Sequence, residues 1–132
     1  MDGDEAMIAI GIGCRKGARK EAILSIIAEA LARADLAGEK AELFTFDGKK
    51  EEAGLAAAAA ALKMPLMFLP LDALRAAGSQ VVTRSAAAEK AFGIASVAEA
   101  SALAGCGKGA YLLLPRISGN GVTCAIAKGL DP

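Results

Sequence analysis

Three short apolar runs, MIAIGI at 7–12, AELFTF at 41–46 and PLMFL at 65–69, alternate with helix-like segments through the first seventy residues. Strand, helix and strand in repetition predict parallel strands joined by right-handed crossover helices on one sheet. MIAIGI carries β-branched residues without polar alternation, as a strand covered on both faces does. From 18 to about 34, Ile23, Ile26, Ile27, Ala30 and Leu31 recur at spacings of three and four. That period marks one helical face, and Gly38 stands where a C-terminal cap belongs. The alanine-rich stretch 50–63 predicts a second helix, with Leu55 and Leu62 seven apart on one side.

Beyond residue 70 the pattern changes. LDALRAAG predicts one or two helical turns, and 83–105 predicts two helices separated at Gly93. The second opens with Ser96-Val97-Ala98-Glu99, a capping box in which serine and glutamate each satisfy a backbone donor of the first turn. AYLLL at 110–114 and VTCAIA at 122–127 are strands joined through SGNG, which predicts an antiparallel hairpin added as a mixed edge. The expected fold is therefore α/β in three layers: a mixed sheet of about five strands, mostly parallel with a C-terminal antiparallel hairpin, and helices on both faces. A single domain over residues 1–132 is expected, since no linker or repeat divides the chain.

Charge and residue usage exclude several function classes. Fifteen cations balance fifteen anions, so no basic nucleic-acid footprint is expected. Histidine is absent, which excludes Ser-His-Asp and Cys-His catalysis, and no metal site is expected. Chemistry must then use carboxylates, lysines or cysteines. Three cysteines at irregular spacing, Cys14, Cys106 and Cys124, favour a reducing compartment, and the acidic opening at 2–5 lacks the form of a secretory signal. No apolar stretch reaches membrane-spanning length, so a cytoplasmic location is expected.

GIGCRKGARKEA, 11–22, joins the first strand to its helix. If the strand ends near Ile12, residues 13–17 form a turn at its carboxyl end, where open α/β sheets bind ligands. Glycines permit close backbone approach, helix amides favour an anion, and Arg15 and Lys16 add charge. The glycines at 11, 13 and 17 are spaced one residue wider than a dinucleotide fingerprint, and no G-K-[ST] follows. A small dinucleotide-binding module remains the alternative, with Asp47 as its ribose-binding acid. Asp47, Lys49 and Glu52 sit where the second strand meets its helix, on the same expected rim. Read blandly, these glycines make a tight turn, the acids complement a helix pole, Cys14 is a small buried residue and Ser96 with Glu99 is only a cap.

GIGCRKG, the D-x-K-x-x-E-x-G-L pattern at 47–55, Ser85, Gly93, SVAEASAL at 96–103, LLLPR at 112–116 and TCAIAKG at 123–129 occur in an order that spans nearly the whole chain. Together they resemble the cobalamin-biosynthesis family comprising CobE and the C-terminal domain of CbiG, in its stand-alone form. The resemblance implies a small α/β protein that binds a precorrin intermediate, alongside other cobalamin-biosynthesis enzymes. It needs no cofactor of its own. The family pattern falls on Gly11, Gly13, Cys14, Arg15, Lys49, Ser96 and Thr123 as binding positions. Hydrolase-like opening of the ring lactone of cobalt-precorrin-5A would use Asp47, Glu52 or Glu99 as general base. Arg116 departs from the lysine common in relatives and suits charge recognition better than proton transfer. Whether such a protein turns over its ligand or carries it, and whether it instead serves as a structural subunit, stays open at this point.

Overall fold

The structure is a computed structural model, and it describes residues 7–107 and 109–129; the acidic opening at 2–5 lies outside them. Its strands are β1 (Met7–Cys14), β2 (Glu42–Phe46), β3 (Leu66–Leu69), β4 (Tyr111–Gly119) and β5 (Val122–Gly129). The helices are α1 (Lys20–Arg33), α2 (Ala53–Leu62), α3 (Leu71–Ala76), α4 (Ala86–Phe92) and α5 (Val97–Cys106). The strands lie in the order β3-β2-β1-β5-β4, with β1, β2 and β3 parallel and β5 antiparallel to both its neighbours. Four strands therefore run one way and β5 the other. The hairpin forms the mixed edge that was expected, with β5 beside β1 and β4 at the rim.

Alternation along β1 and β5 separates two cores. Ile10 and Ile12 of β1, with Val122, Cys124 and Ile126 of β5, pack against Ile23, Ile27 and Leu55 of α1 and α2. All five apolar positions of the α1 stripe are buried, at about 1.5–3 kcal/mol for each large aliphatic removed from water. On the opposite face α5 lies across the sheet, burying Ala102 and Leu103 with Ala127, while Leu74 of α3 packs with Ile94 and Ala100.

Gly11 and Gly13 explain how α5 sits so low. A Cβ at Gly11 would run into the Ala98 carbonyl and lie 2.6 Å from the Ala102 amide nitrogen. One at Gly13 would lie 2.6 Å from the Thr123 hydroxyl. Gly11 was expected to admit a ligand; it admits α5 instead, at Ala98 and Ala102, whereas Gly13 lies against Thr123 at the edge of a cleft.

β1 continues to Cys14, two residues beyond the expected end, because its outer half has a second partner. It leaves β2 after Gly11↔Phe44 but stays paired with β5 through Ile12↔Cys124, Gly13↔Thr123 and Cys14↔Val122. Where the β2 ladder stops, the buried Thr45 hydroxyl donates to the Ile12 carbonyl at 2.7 Å. The cap of α1 also differs from expectation. Asp35 takes the left-handed conformation at φ 60°, and Leu36 and Asp35 donate to the carbonyls of Leu31 and Ala32, a Schellman closure. Gly38 belongs to the following turn.

Candidate functional site

Because β1 and β2 are parallel neighbours, the segments that follow them emerge on one rim. The turn after β1 is set by the Arg15 amide donating to the Gly121 carbonyl at 3.0 Å and the Ala18 amide to the Arg15 carbonyl at 3.2 Å. Gly17 stands at φ 80°, which a side chain would strain. Its amide donates to Glu52 Oε1 at 2.7 Å. Gly54 closes the approach further, since a Cβ there would run into the Ala18 carbonyl. Residues 15–19 and 47–54 thus meet, as the parallel reading expected. The anion found at the Gly17 amide is the chain's own Glu52 carboxylate.

Arg15 is exposed and its aliphatic stem lies over Gly121. That glycine, with Asn120, forms the hairpin turn, both in positive φ (80° and 54°) as a two-residue connection of twisted strands requires. Arg15 separates two clefts. One, about 590 Å3, lies on the α1 side and includes Lys16, Arg19 and Glu21. The other, about 560 Å3, opens on the α5 side, between the end of β1, the hairpin and the first residues of α4 and α5. Its walls include Cys14, Arg15, Ser85, Arg116, Ser118 and Thr123, and no acidic residue. Such a surface suits an anion.

The expected site residues divide between wall and frame. Gly13, Cys14, Arg15 and Thr123 line the α5-side cleft, the Thr123 hydroxyl donating to the Gly13 carbonyl at 3.2 Å. Gly11 lies beneath α5. Asp47 and Lys49 form a short 3₁₀ turn on the same rim, beside the clefts and outside the walls of both. Ser96 is buried and caps α5, its hydroxyl accepting from the Glu99 amide at 3.2 Å.

Glu99 completes only half of the expected capping box. Its carboxylate turns from the helix end into the interior, where Oε1 accepts from the Val82 and Thr83 amides at 2.8 and 3.0 Å and Oε2 from the Arg116 amide at 2.9 Å. The residue is fully buried. Burial would raise its carboxyl, but the hydrogen bonds from Arg116, Thr83 and Val82 outweigh it and hold it below the ordinary carboxylate range. A general base needs a free lone pair facing substrate or water, so this geometry makes Glu99 a tie between segments.

Burial raises the Cys14 thiol, Lys49 lowering it and Glu52 raising it by a smaller amount. A protonated thiol is a weak nucleophile. Burial likewise takes Cys106 to about 11 and Cys124 to about 12. Among the described residues no group of three His, Cys, Asp or Glu side chains could hold a metal, and no helix is long and apolar enough to cross a membrane.

The dinucleotide alternative loses its geometric basis here. Gly11 and Gly13 are strand residues under α5, and α1 begins at Lys20, three residues past Gly17. Arg116, Ser85 and Ser118 are the wall residues that residue patterns alone did not select. Arg116 left one signal, a cation beside Pro115 in an otherwise apolar strand.

Three comparisons bear on this arrangement. The family model for the cobalamin synthesis G C-terminus matches residues 8–127. Protein CobE of Sinorhizobium sp is 30% identical over 123 residues, covering 92% of this chain and 80% of the relative. The crystal structure of CobE, a protein from the cobalamin (vitamin B12) biosynthetic pathway, superposes with a TM-score of 0.86 at 33% identity, covering 96% of this chain and 93% of that one. The cobalamin biosynthesis protein chiG from Agrobacterium tumefaciens gives a TM-score of 0.67 at 36% identity, over 92% and 97% of the two chains. Matched by that family model over residues 8–127 and by CobE at 30% identity over 92% of its length, this chain belongs to the cobalamin synthesis G C-terminus family of cobalamin-biosynthesis proteins.

Proposed function

We propose that the α5-side cleft binds a precorrin intermediate, taking the acidic side arms of the ring at Arg15. The supporting observation is a cleft of about 560 Å3 with guanidinium and hydroxyl groups in its walls and no acidic residue. A precorrin carries acetate and propionate arms around an apolar ring, and Arg15 can grip one carboxylate bidentately. Cys14, Thr123 and the Gly13 backbone would line the bound ring's edge, with Lys49 adding charge on the neighbouring turn. Holding the ligand is the reading this geometry favours over hydrolysis. Glu99 is enclosed and Glu52 is engaged by Gly17. Asp47, on the 3₁₀ turn, is the carboxylate left to act as base in a lactone-opening step. We place the protein in the cytoplasm, where three free thiols persist, exchanging its ligand with other enzymes of the route.

The test is a titration of purified protein with a precorrin, followed in the visible spectrum and repeated with Arg15→Ala. Loss of one charge-assisted hydrogen-bonding group should weaken binding by about 1.5–3 kcal/mol, roughly ten- to a hundredfold. Acetaldehyde released from a lactone-bearing precorrin would move the assignment from carrier to hydrolase. No spectral change at any concentration, or an unaltered affinity in Arg15→Ala, would overturn the proposal.

A further inference from the structure

β4 does not run in register with β5. Its pairing shifts between Leu112 and Leu114 and again between Leu114 and Ile117, so Arg116 lies within the second irregularity. There the Arg116 amide donates to Glu99 Oε2, while the other oxygen of that buried carboxylate gathers the Val82 and Thr83 amides. A bulge re-aims the side chain it carries. Leu114 and Ile117 turn into the α1-side core, and Arg116 belongs to the walls of the cleft on the opposite face. A buried carboxylate is tolerated only when its oxygens are satisfied, and these three donors come from two distant segments. Glu99 therefore fixes the bulge, and the bulge fixes where residue 116 stands.

Arg116 and Arg15 both line this cleft, one from the hairpin strand and one from the turn after β1. Among the described residues the ion pairs are Arg33–Glu29 and Arg84–Glu89, neither of which involves Arg15 or Arg116, and no acidic residue lines the cleft. We propose that the cleft is a two-guanidinium receptor for ligands carrying at least two free carboxylates, Arg15 taking one and Arg116 the other, and that it rejects the corresponding carboxamides. A guanidinium offers a fork of donors that matches the two oxygens of a carboxylate. A carboxamide presents one oxygen and an NH2 group, and the second set of donors meets a donor. Building on the ring-binding function above, this places the protein before the class of reaction that amidates those side arms.

The experiment compares coproporphyrin III with its tetraamide, and includes benzene-1,3,5-tricarboxylate as a probe without the ring. The proteins are wild type, Arg15→Ala, Arg116→Ala, Arg116→Lys and the double alanine variant, each first checked for native circular dichroism. Wild type should prefer the tetracarboxylate over the tetraamide by about tenfold or more. Each alanine substitution should lower that ratio, and the double variant should bring it close to one. Arg116→Lys, which keeps the charge without the fork, should fall between. Equal binding of the two porphyrins by wild type would overturn the inference and leave ring binding standing, as would an unchanged ratio in Arg116→Ala and Arg116→Lys. Binding of the tricarboxylate without either porphyrin would support the receptor and overturn ring binding. Failure of all three probes would overturn both.

Discussion

Replacing Glu99 tests how the cleft wall is held. The carboxylate is fully buried and accepts three backbone amides, at 2.8, 3.0 and 2.9 Å. Truncation to alanine strands those donors and leaves a cavity. An unsatisfied buried donor costs about 1–3 kcal/mol, and because the three share one site their losses do not simply add, so about 3–5 kcal/mol is expected. For a chain of this size that is roughly 10–20 °C in Tm. Glu99→Gln keeps the shape. Its oxygen can serve Val82 and Thr83, but its NH2 then faces the Arg116 amide, a donor against a donor, and about 1–3 kcal/mol is lost. The folded carboxyl lies below its ordinary value: burial would raise it, and hydrogen bonds from the Arg116 amide, the Thr83 hydroxyl and the Thr83 and Val82 amides more than reverse that. A depressed folded pKa contributes stability above the unfolded value, near 4.3, which disappears as pH falls through the folded one. Urea unfolding of wild type and Glu99→Gln should therefore show a constant gap from pH 6 to 8 that narrows in the acid range. A gap that is absent at neutral pH, or that persists unchanged into strong acid, would refute the role given to the charge.

Gly11→Ala should destabilise by about 3 kcal/mol or more in urea unfolding, because the new methyl meets α5 backbone, which cannot rotate aside. Gly78→Ala is the control: nothing lies within 4 Å of a Cβ there, and a change within about 0.5 kcal/mol is expected. Iodoacetamide at pH 7.5 should leave Cys124 and Cys106 unmodified in native protein and label Cys14 more slowly than a free thiol, with all three reacting in urea, as read by mass. Rapid native labelling of Cys124 would contradict its burial.

Local periodicity carried most of the architecture. The α1 stripe of Ile23, Ile26, Ile27, Ala30 and Leu31 is the buried face because a helix with that spacing has one way to hide it. The rim formed by the β1 and β2 turns was equally legible, since parallel neighbours discharge their loops on one side. What escaped depended on partners distant in the chain. The length of β1 is decided by β5, over a hundred residues later. Gly11 looks like a ligand turn until Ala98 and Ala102 are known to lie on it. Ser96 and Glu99 carry a capping-box pattern, but only the serine half forms, because two loop amides and a bulge compete for the carboxylate. The family resemblance marked Arg116 as a cation, but which face of the sheet it serves was not legible, because its direction comes from that bulge.

The pairing of Met7 with Gly129, at opposite ends of the described chain, bears on how the protein is made. On the ribosome β1 emerges first and waits with one flank bare until β5 has been synthesised. Closing so long a loop is slow, and until it closes an apolar strand edge stays open to other chains. The hairpin turn at Asn120-Gly121 shortens the wait by delivering β4 and β5 together. The Arg15 amide, which needs the Gly121 carbonyl, is among the last to find its place, so the α5-side cleft is a late product of folding.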